Sequence, residues 1–146
     1  MNQVIIFTNE NGGVSVCYPT GEVPIEIVQA KDTPAGSIIV ENDSLPNEHN
    51  DFFNAWELNG TIVTVSLAKA KDIAKDNLRK ERTPVLASLD VQFMRAVETG
   101  NTSLQTAIAE QKQELRDITT HTSIVGASDV DSLKTAMNTL IEQIKS

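Results

Sequence analysis

Short apolar bursts alternate with polar turns over the first 65 residues, and longer helical-period stripes follow. VIIF (4–7) and VSVCY (14–18) are β-rich runs separated by TNENGG, whose paired glycines signal a hairpin. PIEIVQAKD (24–32) fits either a strand or a short helix, with the balance toward helix, and TPAG (33–36) breaks it. SIIVE (37–41) reads as a third strand and NDSLPNEHN (42–50) as a loop. In DFFNAWEL (51–58) the aromatics Phe52, Phe53 and Trp56 crowd too closely for one strand face. A helical turn running into a strand over Ala55–Leu58 fits better. Asn59–Gly60 then supplies a type I′ turn that pairs this strand with TIVTV (61–65). The expectation is a small antiparallel sheet of about four strands with one or two helical turns.

From Ser66, a candidate cap, the residues become good helix formers, and the pattern predicts helices over about 67–82, 84–99, 103–119 and 129–145. Asp72 with Lys75, and Asp76 with Lys80, are spaced for ion pairs along the first of these. Pro84 either opens a new helix capped by Thr83 or kinks a continuous one. Val85, Leu86, Leu89, Phe93, Ala96 and Val97 form one wide apolar stripe, closed by the stop signal Gly100–Asn101. Thr102 to Gln105 matches a capping box for the next helix, along which Leu104, Ile108, Gln111, Leu115 and Ile118 recur at 4-3-4-3 spacing. Two helices joined this closely must run antiparallel to bury both stripes, so an αα-hairpin is predicted. HTSIVGAS (121–128) is a connector. The last helix starts near Ser128 or Asp129 and carries a narrow seam of Val130, Leu133, Met137, Leu140 and Ile144. That seam is too short for a free coiled coil and packs either on the hairpin or on another subunit. The predicted class is α+β, with a β-rich domain over 1–65 and a helical domain over 66–146.

Charge divides the chain at the same place. Residues 1–65 carry nine acids and a single base, Lys31, whereas residues 66–146 carry eleven of each sign, for a net charge of −8. The acidic half argues against general nucleic-acid binding, which needs a positive footprint. No apolar run reaches the roughly 18–20 residues of a membrane helix, and the first residues lack the basic and apolar regions of a signal peptide. Synthesis in the cytoplasm without membrane association is the expectation.

Candidate chemistry is sparse. Cys17, the sole cysteine, reads as an inert apolar core residue. His49 and His121 lie in polar loops without a second ligand at metal spacing, and both read as solvated. NENGG and PTGE match neither a P-loop nor a dinucleotide fingerprint. Asn59-Gly-Thr61 and Asn101-Thr-Ser103 match glycosylation acceptors in form, but turn and cap chemistry explains both. The run KAKDIAKDNLRKER (69–82), with six bases and three acids, reads as a solvated face that could alternatively meet an acidic partner. Phe52, Phe53 and Trp56 are either core or an interface anchor. No catalytic, cofactor-binding or metal-binding residues emerge, so a non-enzymatic protein is expected.

LDVQFMRAVETGN (89–101) with QKQELRDIT (111–119), preceded by an arginine-bearing helix and by KDTPAGSIIVENDSLPNEHNDFFNAWEL (31–58), resembles a module of small tail- and tail-fibre-associated structural or assembly proteins of tailed bacteriophages. Arg79, Arg82, Leu89, Asp90, Phe93, Met94, Arg95, Ala96, Glu98, Leu115, Arg116, Asp117 and Thr119 carry the match, which covers roughly residues 28–135. The resemblance implies a virion-related role in tail, neck or fibre attachment, with other phage structural proteins as partners. It also implies a homo-oligomer, threefold, sixfold or twelvefold on a tail axis. Since the chain lacks a fibre shaft, it would be an accessory or adaptor. An assembly chaperone absent from the mature virion is the alternative, and an acidic inhibitor of a host protein a weaker one. Residues expected at interfaces are Phe52, Phe53, Trp56, Arg79, Arg82, Arg116, Leu133, Met137, Leu140 and Ile144. Arg116 is expected to reach Asp90 or Glu98 across the hairpin and fix its register.

Overall fold

The computed structural model describes residues 2–146, which form an α+β protein. Two compact units divide it, one running to Ala70 and the other spanning Lys71–Ser146. This boundary falls a few residues later than the charge break, because the first turn of the long helix belongs with the first unit.

In the first unit, β1 (Gln3–Thr8) lies between β2 (Val14–Cys17) and β3 (Ile38–Glu41), antiparallel to both. Its central position explains why VIIF is apolar at consecutive positions: Val4, Ile5 and Ile6 are all buried, so both faces of the strand are covered. The β1–β2 turn is held by Asn9, whose Oδ1 accepts from the backbone N–H groups of Asn11 and Gly13. The helix favoured for residues 24–32 is present as α1 (Ile25–Asp32), although it buries no side chain fully. Short 3₁₀ segments at Asn42–Ser44 and Asn47–Ala55 replace the expected loop, and the second delivers the chain into β4 (Trp56–Asn59).

β4 pairs with β5 (Ile62–Val65) in a separate two-stranded sheet, so the expected single sheet of four strands is instead two sheets of three and two. The hairpin turn also differs. Asn59 pairs with Ile62, which makes Gly60 and Thr61 the central residues. Of these only Gly60 has positive φ (66°), the pattern of a type II′ rather than a type I′ turn. Val4, Ile6 and Val14 meet Leu45, Trp56 and Val63 in one core cluster. One loop expectation and one core expectation fail here. The His49 side chain is only 12% exposed, beside the tryptophan whose indole N–H donates to the His49 carbonyl at 3.3 Å. Cys17 is half-buried rather than deep in the core, because it closes the edge strand β2.

α2 (Leu67–Glu98), which opens in the first unit and runs on through the second, is unbroken for 32 residues through Pro84, so the expected helices at 67–82 and 84–99 are one. Thr83 does not cap a new helix. Its hydroxyl donates to the Arg79 carbonyl one turn back, while Pro84 has no N–H with which to satisfy the Lys80 carbonyl. α3 (Thr102–Asp117) follows, then a 3₁₀ turn at Ile118–Thr120 and the one-turn α4 (Thr122–Val125) within the expected connector. α5 (Val130–Lys145) begins where expected, with Asp129 as its N-cap. Its seam packs within the chain: Leu133, Met137, Leu140 and Ile144 are all buried. The Asn77 amide approaches the Met137 sulfur at 3.5 Å, and Lys145 pairs with Glu81 at 3.7 Å, joining α5 to α2.

Candidate interaction surface

The hairpin of α2 and α3 is defined first by its turn. Gly100 adopts φ of 69°, which a side chain would strain. Its N–H donates to the Val97 carbonyl, and the Asn101 N–H reaches the Ala96 carbonyl, the paired bonds of a Schellman motif. Asn101 then caps α3, its Oδ1 accepting from the Leu104 N–H at 3.1 Å. The cap therefore sits one residue before the expected Thr102. Gln105, released from a capping box, donates instead to the Ala96 carbonyl at 3.3 Å and ties the two helices together.

Leu89, Ala96 and Ile108 form the buried centre between the helices, with Val85, Phe93 and Leu115 packed around them. At the edges of the two predicted stripes, Val97 and Leu104 lie outside this core and are exposed. The cross-hairpin ion pair exists, but Lys112 makes it rather than Arg116. Lys112 Nζ lies 2.5 Å from Asp90 and 5.6 Å from the centroid of the Phe93 ring, with its side chain only 17% exposed. Its position explains the substitution. One turn after Ile108 and three residues before Leu115, Lys112 borders the buried stripe, so its methylenes lie against apolar surface while its ammonium reaches the opposite helix. Arg116 sits further round the helix and is exposed. Nothing in its spacing or neighbours singles Lys112 out in the sequence, since one lysine among the polar residues of α3 looks like any other.

The arginines separate in the same way. Arg79 makes a local pair with Asp76 at 2.6 Å, taking that acid in place of the expected Lys80. Arg82 Nη1 donates to the carbonyls of Leu115 and Arg116 at 3.1 and 2.9 Å. These belong to the last turn of α3, where carbonyls lack i+4 partners, Leu115 accepting only the shorter bond from the Ile118 N–H, and the helix dipole favours a cation. Arg82 is thus a clamp on the hairpin's open end. Among the aromatics, Phe52 and Trp56 are buried, while Phe53 is 37% exposed and tilted against the Trp56 ring at 4.8 Å. Of the residues expected at interfaces, Phe53, Arg79 and Arg116 remain at the surface. Phe52, Trp56, Leu133, Met137, Leu140 and Ile144 are core side chains, consumed by packing within the chain.

What the hairpin presents outward is a row absent from those expectations. Val91, Met94 and Val97, spaced three apart on α2, are 51%, 60% and 48% exposed. They lie away from the Leu89–Ala96 stripe, and Leu104 at the start of α3 is exposed as well. Consecutive residues at this spacing make an i, i+3 ridge, the geometry with which helices interlock. His121 is exposed, and its Nδ1 accepts from the Ser123 N–H at the start of α4, which makes it a helix cap. Among the described residues, no group of three or more His, Cys, Asp or Glu side chains converges as a metal site would require, and no helix is long and apolar enough to cross a membrane. No family model, curated protein or solved structure matches the chain.

Proposed function

We propose that the chain is a non-catalytic structural or accessory component of a tailed-bacteriophage particle, an adaptor at the tail, neck or fibre attachment that works through protein–protein contacts. The observation carrying this reading is the division of labour within LDVQFMRAVETGN. Leu89, Phe93 and Ala96 pack in the hairpin, whereas Val91, Met94 and Val97 leave an apolar ridge in solvent. Isolated exposed apolar residues need no explanation, but three in register on one helix suit a partner's surface. The resemblance of this segment to the phage tail-associated module supplies the kind of partner: other structural proteins of the particle, or further copies of this chain in a symmetric ring.

Mass spectrometry of purified particles from the phage or prophage that encodes the chain tests the reading. The chain is expected at a fixed copy number per particle, co-purifying through a density gradient. Its presence on tail intermediates but not on finished particles would mean an assembly chaperone instead. Absence from both would end the proposal.

A further inference from the structure

The exposed side of α2 carries a second pattern that overlaps the ridge. Pro84, Ala87, Val91 and Met94 recur at 3-4-3 spacing, a heptad seam with Pro84 and Val91 at a positions and Ala87 and Met94 at d. All four are exposed, Val91 and Met94 by 51% and 60%. At about 100° per residue the seam lies on the side of α2 opposite Leu89 and Ala96, so the hairpin core stands behind it. Glu98, at the next a position, ends it. The flanks carry both signs in a fixed order. Asp90 takes a g position on one side, and Arg95 takes the e position five residues on, along the other side. Asp90 gives one oxygen to Lys112 and stays 61% exposed. Arg95 is exposed, and among the described residues no acid pairs with it.

We infer that this face is covered by α2 of a second copy of the chain, the two helices running parallel and meeting along Pro84, Ala87, Val91 and Met94. This assignment rests on the ridge being an interface and names its occupant. In a parallel pair, the g position of one helix lies against the e position five residues later on the other. Two copies of α2 side by side therefore bring Asp90 of each to Arg95 of the other, twice by symmetry. Antiparallel packing opposes g to g and e to e, which sets Asp90 against Val97 and Arg95 against Ser88 and pairs neither charge. A foreign helix would have to supply matching charges, whereas this face carries both members of each pair. Two heptads are too short to hold a coiled coil unaided, but α2 is already kept helical by its packing on Ile108, so pairing carries no nucleation cost. A strip about 22 Å long and about 10 Å wide is well under the roughly 800 Å² that a stable dimer buries on each partner. Pairing is therefore weak in free solution and gains from a shared scaffold that raises the local concentration.

Sedimentation equilibrium of the full chain, from about 10 μM to about 1 mM, tests the pairing. Reversible self-association within that range is expected. Arg95→Glu, changed at an exposed residue, should melt as the native chain does and associate about tenfold more weakly, since both charge pairs become like-charged. Glu98→Gln should associate more tightly, because parallel packing sets the two glutamates against each other. Oxidation at about 1 mM reads the orientation. Met94→Cys in a Cys17→Ser background should give a disulfide-linked dimer, as the parallel arrangement places Met94 against its own copy. A native chain that stays monomeric at about 1 mM would overturn the inference. So would association that Arg95→Glu leaves unchanged, or cross-linking that requires Val91→Cys and Met94→Cys chains to be mixed. A monomeric chain found in particles would sink the pairing and leave the virion reading standing. A chain that pairs in solution yet is absent from particles would do the reverse.

Discussion

Lys112 is the residue on which the hairpin's register turns. Its ammonium joins Asp90 across the gap and stands over the Phe93 ring, and its side chain is mostly withdrawn from water. Fully exposed ion pairs contribute about 0–1 kcal/mol, and a cation–π contact adds about 0.5–1 kcal/mol. A double-mutant cycle on Asp90 and Lys112 should therefore give a coupling of about 0.5–1 kcal/mol in urea unfolding, discounted for the 61% exposure of Asp90. The same cycle on Asp90 and Arg116 should return zero. A measurable Arg116 coupling would mean that the pairing seen here is not the one in solution. Asp129 offers a second, pH-dependent test. Its carboxyl is held below the ordinary range by the hydroxyl and the N–H of Ser132, the latter at 2.7 Å. A depressed folded-state pKa means that the cap's contribution is present above the unfolded value and lost as pH falls through the folded one. Stability measured from about pH 7 down to about pH 2 should thus fall more steeply for the native chain than for Asp129→Asn, which keeps an acceptor but cannot titrate. Parallel curves would remove Asp129 from the acid response.

Among the elements, α2 shows where pattern reading succeeds and where it stops. The stripes of both hairpin helices, the stop at Gly100 and the start of α5 follow from periodicity and turn chemistry, because each is decided within a few residues of sequence. Continuity through Pro84 is not decided locally. A proline disrupts the helix at one carbonyl, and only packing on both sides of the break, at Leu78 and Leu89, keeps the helix whole. The split of five strands between two sheets is likewise invisible, since strand partners are chosen over long separations. The expected interface residues fared worst for a related reason: periodicity assigns Leu133 and Met137 to a buried seam but cannot say whose surface buries it. The proline makes a sharp prediction. Within a helix, Pro84→Ala restores an N–H for the Lys80 carbonyl and gains up to about 3 kcal/mol of propensity. It also releases the unfolded chain, which costs about 0.4–1 kcal/mol. A net stabilisation of about 1–2 kcal/mol is expected by denaturant unfolding. If residues 67–82 and 84–99 were separate helices, the substitution would instead destabilise by the smaller amount alone.

Across the whole chain, two independent demands on apolar surface can be told apart. One is satisfied within each unit, by the sheet cluster around Trp56 and by the helical cluster around Leu89 and Ile108. The other is left open on the ridge of Val91, Met94 and Val97. Changing the first kind of residue removes buried contacts and lowers stability, whereas changing the second removes almost none. Val91→Ser, Met94→Ser and Val97→Ser combined should therefore leave the unfolding midpoint within about 0.5 kcal/mol per site, the range of surface substitutions. Association should respond differently, because a desolvated apolar anchor at an interface centre contributes about 2 kcal/mol or more. The triple variant should fold as the native chain does, yet fail to enter particles when it complements a phage deleted for the gene. Incorporation at the native copy number would show that the ridge is not the attachment surface. A folded variant excluded from particles would locate attachment on the outward face of the hairpin.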